Sequence, residues 1–374
     1  MDDLPGIEVL EAEGFSLFQH PASNRPVAAT VVIPTYNAKP TLARALRSAL
    51  DQTMPDIEGI VVDDASTDES WALITDFLRG NQRLRAVRNR RNYGKPVGMN
   101  RAIALARGRW IAILDADDWY HPDRLRALIA IAEARGVDMV ADNQFFYDAA
   151  AGRMVGTAWP SGTSSWELSF DGFLIGSNAY RTFNLGMLKP VIRTDFIRRT
   201  ALNYEERARH GQDFFHLLQF YLAGGRAVVT DAPYYYYTQP YGALSRQWSH
   251  AGRRRYDFQI TYDINRRYLA TASRTLTPSQ AARLRKRNSR LKSLEYFYQA
   301  KECISQGNMR GAVLRLLRHP PMIGYVLRRI GSHLLRYAYH GRSGPRPTSK
   351  TIERVALRAR RLDARQSEAA PKPR

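Results

Sequence analysis

Residues 109–125 read RWIAILDADDWYHPDRL. Trp110–Leu114 is a short, continuously apolar run, the pattern of a strand buried on both faces. It stops at Asp115-Ala116-Asp117-Asp118, and a helical pattern follows from His121 to Arg135. Three carboxylates directly behind a buried strand set both the fold and the chemistry to be sought.

Upstream, the same unit recurs. Val27–Ile33 is an apolar, β-branched run followed by helical spacing at Leu42, Ala45, Leu46, Ala49 and Leu50. Ile57–Val62 is a second strand and Trp71–Leu78 a second helix. Leu84–Val87 is a weaker third strand, and Pro96–Arg107 a helix with proline in its first turn, where the missing N–H costs nothing. Val137–Val140 is a candidate fifth strand. Strands of this length alternating with helices predict an α/β fold, a mostly parallel, Rossmann-like sheet with helices on both faces. Such sheets bind ligands beyond the carboxyl ends of their strands.

The segments behind the strands are polar at each step. Pro34-Thr35-Tyr36-Asn37 follows the first, Asp63-Asp64 the second, Asn92-Tyr93-Gly94-Lys95 the third and Asp115-Ala116-Asp117 the fourth. Carboxylates two apart in an extended segment point to one side, and converging oxygens suit Mg²⁺ or Mn²⁺. A solvated acidic turn capping the next helix is the other reading of Asp115–Asp118. Asp64 is placed to accept hydrogen bonds from a base or ribose, and Tyr36 offers an aromatic face. Gly94 lets the backbone approach a phosphate that Lys95 could pair. A core tyrosine and a solvated lysine would read the same.

Charge divides the chain. The whole carries 56 Lys+Arg against 35 Asp+Glu, net +21. Residues 246–374 hold 30 basic and 7 acidic groups, which leaves 26 and 28 for residues 1–245. The first 245 residues are therefore no general polyanion binder. Nucleic-acid binding through the tail is a competing class, but the tail has no recognisable nucleic-acid motif. One cysteine, Cys303, excludes a disulfide framework and a Cys-based zinc site. The start, MDDLPGIEVL, lacks a signal-peptide pattern, and no stretch reaches the roughly 18 apolar residues of a spanning helix. A cytoplasmic location is expected.

Four segments, VVIPTYNA (31–38), VVDDASTD (61–68), NYGKPVGMNRAI (92–103) and RWIAILDADDWYHPDRL (109–125), resemble in their order the signature of inverting family-2 glycosyltransferases with a GT-A fold, including bacterial exopolysaccharide enzymes of the succinoglycan type. The resemblance covers about the first 240 residues. It implies that Pro34, Thr35, Tyr36, Asn37, Asp64, Asn92, Gly94, Lys95, Asn100, Asp115 and Ala116 hold a UDP-sugar, with UDP-glucose the default. It implies that Asp117, with Asp115, holds Mg²⁺ or Mn²⁺. The family's later acidic motif matches His210-Gly211-Gln212-Asp213-Phe214-Phe215, which makes Asp213 the implied catalytic base. Gly98-Met99-Asn100 stands where the family commonly has Ala-Arg-Asn, and Gln212 where an acidic residue often precedes the base. The QxxRW motif of processive synthases is absent, so transfer of a single sugar to a saccharide acceptor is implied, with a lipid-linked oligosaccharide as the acceptor class. A sugar nucleotidyltransferase on a similar sheet would be expected to carry a Gly-rich basic loop where PTYNAKP stands.

The organisation expected is an N-terminal arm (1–26), a catalytic domain (27–245, with a nucleotide-binding half 27–140 and an acceptor half 141–245), a basic helical region (246–342) and a basic tail (343–374). A helix is expected at Lys189–Thr200 and another at Gln212–Leu222. In the basic region, Val313, Leu314, Leu316 and Leu317, then Ile323, Val326, Leu327, Ile330, Leu334 and Leu335, recur at helical spacing among arginines 315, 318, 328, 329 and 336. Such a helix can lie on the inner face of the plasma membrane, making the protein peripheral there. The alternative is that its apolar face packs on the catalytic domain.

Overall fold

The structure is a computed structural model that describes residues 5–21, 25–177, 183–208, 210–239, 258–318, 320 and 323–324. Four parallel strands form the first half of its sheet: β3 (Ala29–Thr35), β4 (Ile57–Asp63), β5 (Leu84–Asn89) and β6 (Trp110–Ile113). Their order in space is β5-β4-β3-β6. That is the 3-2-1-4 winding of a doubly wound sheet, and its switch point lies between β3 and β6. Side chains alternate across the sheet. Val31 and Ile33 enter a core shared with α1 (Lys39–Leu50), α2 (Ser70–Gly80) and α4 (Arg124–Arg135), while Val32 enters the opposite core with α3 (Lys95–Leu105). β4 is buried along its whole length, which suits its apolar Ile60–Val62, while its buried Glu58 is met by the Thr30 hydroxyl and the Arg85 guanidinium.

Beyond β6 the sheet becomes mixed. β8 (Met139–Asp148) begins near the expected fifth strand but does not pair β6. The three-residue β11 (Val191–Arg193) lies between them, antiparallel to both. β12 (Ala227–Gln239) runs parallel to β8. β7 (Trp119–Tyr120), β9 (Arg153–Thr157) and β10 (Ser165–Glu167) complete this side. Helices α5 (Phe170–Gly176), α6 (Thr194–Thr200) and α7 (Gln212–Leu222) contribute Phe173, Phe196 and Phe214 to the same core as α3.

Two sequence expectations are corrected. The segment expected as an aperiodic arm contains a hairpin, β1 (Glu8–Ala12) and β2 (Phe15–Gln19), whose second strand pairs β5. Its two-residue connection, Glu13-Gly14, has Gly14 at φ 79°, the backbone region that glycine adopts without cost. The helix expected at Lys189–Thr200 is split. A 3₁₀ turn (Leu185–Met187) precedes Lys189, β11 follows it, and α6 starts only at Thr194. Pro190 disfavours helical geometry at Lys189, and β-branched Val191 and Ile192 suit a strand.

The basic region is helical where it is described: α8 (Gln259–Thr271), α9 (Pro278–Ser305) and α10 (Met309–Arg318). Thr277 and Gln280 close a reciprocal capping box at the start of α9. Ile264 and Leu284 join the core that α7 lines, so the region packs on the sheet-bearing part of the chain through α8 and α9. Residues 326–336 of the expected amphipathic pattern lie outside the described residues.

Two buried groups hold this scaffold in register. Arg124 is fully buried and grips Asp142 with a fork of Nη2 to Oδ1 (2.7 Å) and Nε to Oδ2 (3.1 Å). Replacing Arg124 with Met leaves the Asp142 carboxylate buried without its partner. Such losses cost roughly 3–5 kcal/mol, and the midpoint of urea unfolding should fall accordingly. His216 of α7 is buried, stacks on Tyr204 (4.1 Å between centroids) and bonds the Asn203 carbonyl through Nδ1. Burial pushes its imidazole down to about 4. The unfolded chain therefore takes up this proton near pH 6.5 and the folded chain only near 4. Stability is complete above pH 6.5 and is lost as pH falls toward 4, by up to about 3 kcal/mol. His216→Leu should flatten the slope of stability against pH in that window, measured by unfolding titrations from pH 4 to 7.

Candidate active site

The strand ends open into a cleft lined by Pro34, Thr35, Tyr36, Val62, Asp64, Asn92, Gly94, Lys95 and Gly98. Seven of the expected donor-binding residues are thus gathered on one surface. Asp64 shapes it: its carboxylate accepts hydrogen bonds from Asn89 Nδ2 (2.8 Å) and from the backbone N–H groups of Tyr93 (2.9 Å) and Gly94 (2.8 Å). It therefore holds the turn that leads into α3, and Gly94 sits there at φ 92°. Asn37 braces instead. Its side-chain oxygen accepts from the Thr67 N–H (2.8 Å), and its own N–H donates to Ser66 Oγ (2.9 Å), which joins the loops after β3 and β4. The Asn100 amide pairs with the backbone of Tyr204 in both directions, at 2.9 and 2.7 Å. Ala116 is buried within the loop after β6.

That loop is a turn rather than an extended segment: the Asp118 N–H donates to the Asp115 carbonyl at 3.0 Å. The turn, and not alternation, brings the carboxylates of Asp115, Asp117 and Asp118 together, with one oxygen of each within 4.8 Å of the others. Asp118 is fixed from behind by the Tyr235 hydroxyl (2.7 Å) and the Thr238 N–H (2.8 Å). Arg44 and Thr238 donate to the Asp117 carbonyl. Burial, then Asp117 and Asp115, push the Asp118 carboxyl well above its ordinary value. Asp118 is thus crowded enough to resist ionisation, and a divalent cation held by this hard-oxygen cluster would relieve that crowding.

Asp213 arrives from the other half, in the first turn of α7, where the helix dipole favours an anion. Its neighbour is a residue with no role expected from the sequence. The Lys189 ammonium, with its side chain 4% exposed, donates to Asp213 Oδ2 (2.8 Å) and Asp115 Oδ2 (2.7 Å). Lys95 Nζ lies 2.6 Å from Asp115 Oδ1 and 3.8 Å from Asp213 Oδ1. Burial alone would raise both acids, but Lys189 and then Lys95 outweigh it and hold both carboxyls below their ordinary values. Burial opposes the charge on Lys189, and Asp115 and Asp213 overcome it, which pushes the ammonium well upward. The signal that could have found Lys189 is a single cation in the otherwise apolar run GMLKPVI (186–192).

Comparison with known proteins agrees with this geometry. Residues 30–187 match the family model described as "Glycosyl transferase family 2". The chain is 34% identical over 229 residues to the succinoglycan biosynthesis protein ExoO of Rhizobium meliloti, covering 60% of this chain and 65% of that one. It is 32% identical over 309 residues to ExoU of the same organism, also a succinoglycan biosynthesis protein, covering 81% and 87%. Among solved structures, S. aureus TarS 1–349 in complex with UDP-GlcNAc superposes with a TM-score of 0.53 at 16% identity, covering 80% of this chain and 92% of that chain, a likeness of fold. The strand-end motifs, the DxD turn with its opposed aspartate and the extent of the match to ExoU establish together that the chain belongs to glycosyltransferase family 2.

Proposed function

We propose that the chain transfers one sugar from a UDP-sugar, UDP-glucose by default, to a hydroxyl of a saccharide acceptor with inversion. The observation that carries this reading is the Lys189 ammonium hydrogen-bonded to both Asp115, which follows β6, and Asp213, which opens α7. It places an acidic cluster fit for a diphosphate-bound cation on one side and a candidate base on the other. Asp213 Oδ1 is buried, makes no hydrogen bond and lies 3.8 Å from Lys95 Nζ, so it keeps the capacity to take a proton from an acceptor hydroxyl that reaches it. In the reaction the acceptor oxygen bonds to the anomeric carbon as its proton passes to Asp213. The bond from that carbon to the diphosphate breaks, and the electron pair leaves with UDP. Mg²⁺ or Mn²⁺ held by Asp117 with Asp115 would neutralise charge on the departing diphosphate. Tyr36 and Thr35 line the nucleoside side of the cleft, and Lys95 the phosphate side.

Assembly of an exopolysaccharide is the pathway consistent with the names of ExoO and ExoU, and the acceptor proposed for it is a lipid-linked saccharide. The C-terminal helices support delivery to such an acceptor at the inner face of the plasma membrane. Helix α10 buries only Ala312 fully, and exposes Met309 (59%), Val313 (49%), Leu314 (47%) and Leu317 (68%). Arg310, Arg315 and Arg318 accompany this strip. Each cation at an anionic leaflet contributes roughly 1 kcal/mol, and the apolar side chains add insertion energy. Among the described residues no helix is long and apolar enough to cross a membrane.

A panel of UDP- and GDP-sugars with Mn²⁺ or Mg²⁺, read as hydrolysis without acceptor, should identify the donor. Asp213→Asn should then lower turnover by roughly 10²–10⁴-fold with UDP binding nearly intact by calorimetry; full activity refutes the assignment. Leu314→Asp with Leu317→Asp should reduce co-flotation of the full chain with phosphatidylglycerol vesicles at low salt while leaving donor hydrolysis unchanged. Undiminished flotation would remove α10 as the attachment surface.

A further inference from the structure

Lys189 is the feature that the donor and acceptor assignments leave unexplained. Its ammonium does not line the donor cleft, whereas Lys95 does. It is also the more enclosed of the two, 4% exposed against 15%. Its backbone is held as well: the carbonyl of Lys189 accepts a hydrogen bond from buried Arg124, and Pro190 follows directly. A cation fixed at both ends cannot swing out to meet an incoming phosphate. What it can do is fix carboxylates.

We propose that Lys189 is a positioning residue for the base. Its ammonium pins Asp213 through Oδ2, which leaves Oδ1 as the oxygen that takes the acceptor proton, and anchors that arrangement to Asp115 on the donor side. This rests on Asp213 being the base. The geometry is specific to one oxygen of each acid: Lys189 occupies Asp213 Oδ2 at 2.8 Å and Asp115 Oδ2 at 2.7 Å. Asp115 Oδ1 is taken by Lys95 at 2.6 Å, and Asp213 Oδ1, buried and 3.8 Å from Lys95 Nζ, is the one of these four oxygens without a hydrogen bond. A carboxylate in the first turn of a helix, without such a pin, rotates about two side-chain bonds. Misplacement of a reacting group by about 1 Å costs as much as 100-fold in rate.

The test compares Lys189→Met, Asp213→Asn and the double variant in the full chain, with the UDP-sugar that the donor panel identifies. Lys189→Met should lower the turnover number for hydrolysis by about 100-fold while the affinity for UDP with Mn²⁺ stays within about threefold. The double variant should be no slower than Asp213→Asn alone, because a residue acting through Asp213 has nothing further to remove. A residue that only supports the fold, or that binds donor, would give additive losses or weakened UDP binding, and either result overturns the proposal. If Lys189→Met does not fold, Lys189→Arg is read in the same way, since it keeps the charge and moves its position. Wild-type turnover in either folded variant also overturns it. Full activity of Asp213→Asn would instead refute the base assignment, and a chain that hydrolyses no UDP-sugar would remove the function on which both rest.

Discussion

A buried ammonium between two carboxylates constrains everything around it. Lys189, Asp115 and Asp213 come from three separate stretches of chain, and their charges are largely withdrawn from water. Isolated, each would cost several kcal/mol to bury; together they are tolerated only if the geometry is kept. The scaffold must therefore hold β6, the segment before β11 and the start of α7 in fixed relation. Antiparallel pairing of β11 with β6 does this directly, since it places Val191, two residues beyond Lys189, opposite Ala112, three before Asp115.

The topology explains why this meeting point lies where it does. In the 3-2-1-4 winding, connections from the central strands leave in opposite directions and open a crevice at the switch point. Thr35 and Asp115 follow the two strands that flank it. The strand-end cleft occupies the β3–β4–β5 side, where Asp64 shapes the turn into α3. The opposite side is closed by the antiparallel addition that carries Lys189, followed by α7 with Asp213. A wholly parallel sheet would have put another crossover helix in that place.

Much of this was legible in the sequence, and what was legible was local. Each βα unit announces itself by an apolar run ended by polar residues, so Thr35, Asp64, Gly94 and Asp115 could be placed at strand ends from pattern alone. Asp213 needed the family resemblance, because a polar residue opening a helix is also an ordinary first-turn anion. Lys189 escaped both routes: its role depends on contacts 74 and 24 residues away in sequence, and no periodicity encodes them. The hairpin at β1–β2 was missed for another reason. Its outer strand is half polar and exposed, and only pairing with β5 gives its partner a buried face. The acidic loop was placed correctly but its shape was not. Reading it as extended explained why Asp115 and Asp117 converge; the turn also recruits Asp118.

The two buried basic residues near this centre show that the choice between lysine and arginine is physical. Arg124 meets one carboxylate, and its planar fork matches the two oxygens of Asp142 side by side. Lys189 meets one oxygen from each of two carboxylates, and a compact ammonium with three tetrahedrally arranged donors can serve both. A guanidinium there would satisfy one acid bidentately and leave the other to find a new partner. Arg124 in turn bonds the Lys189 carbonyl, so the rigid pair that secures α4 to β8 also sets the position from which the ammonium reaches. The fold thus uses its rigid cation to hold the scaffold and its compact one to join β6 and α7 at the candidate site.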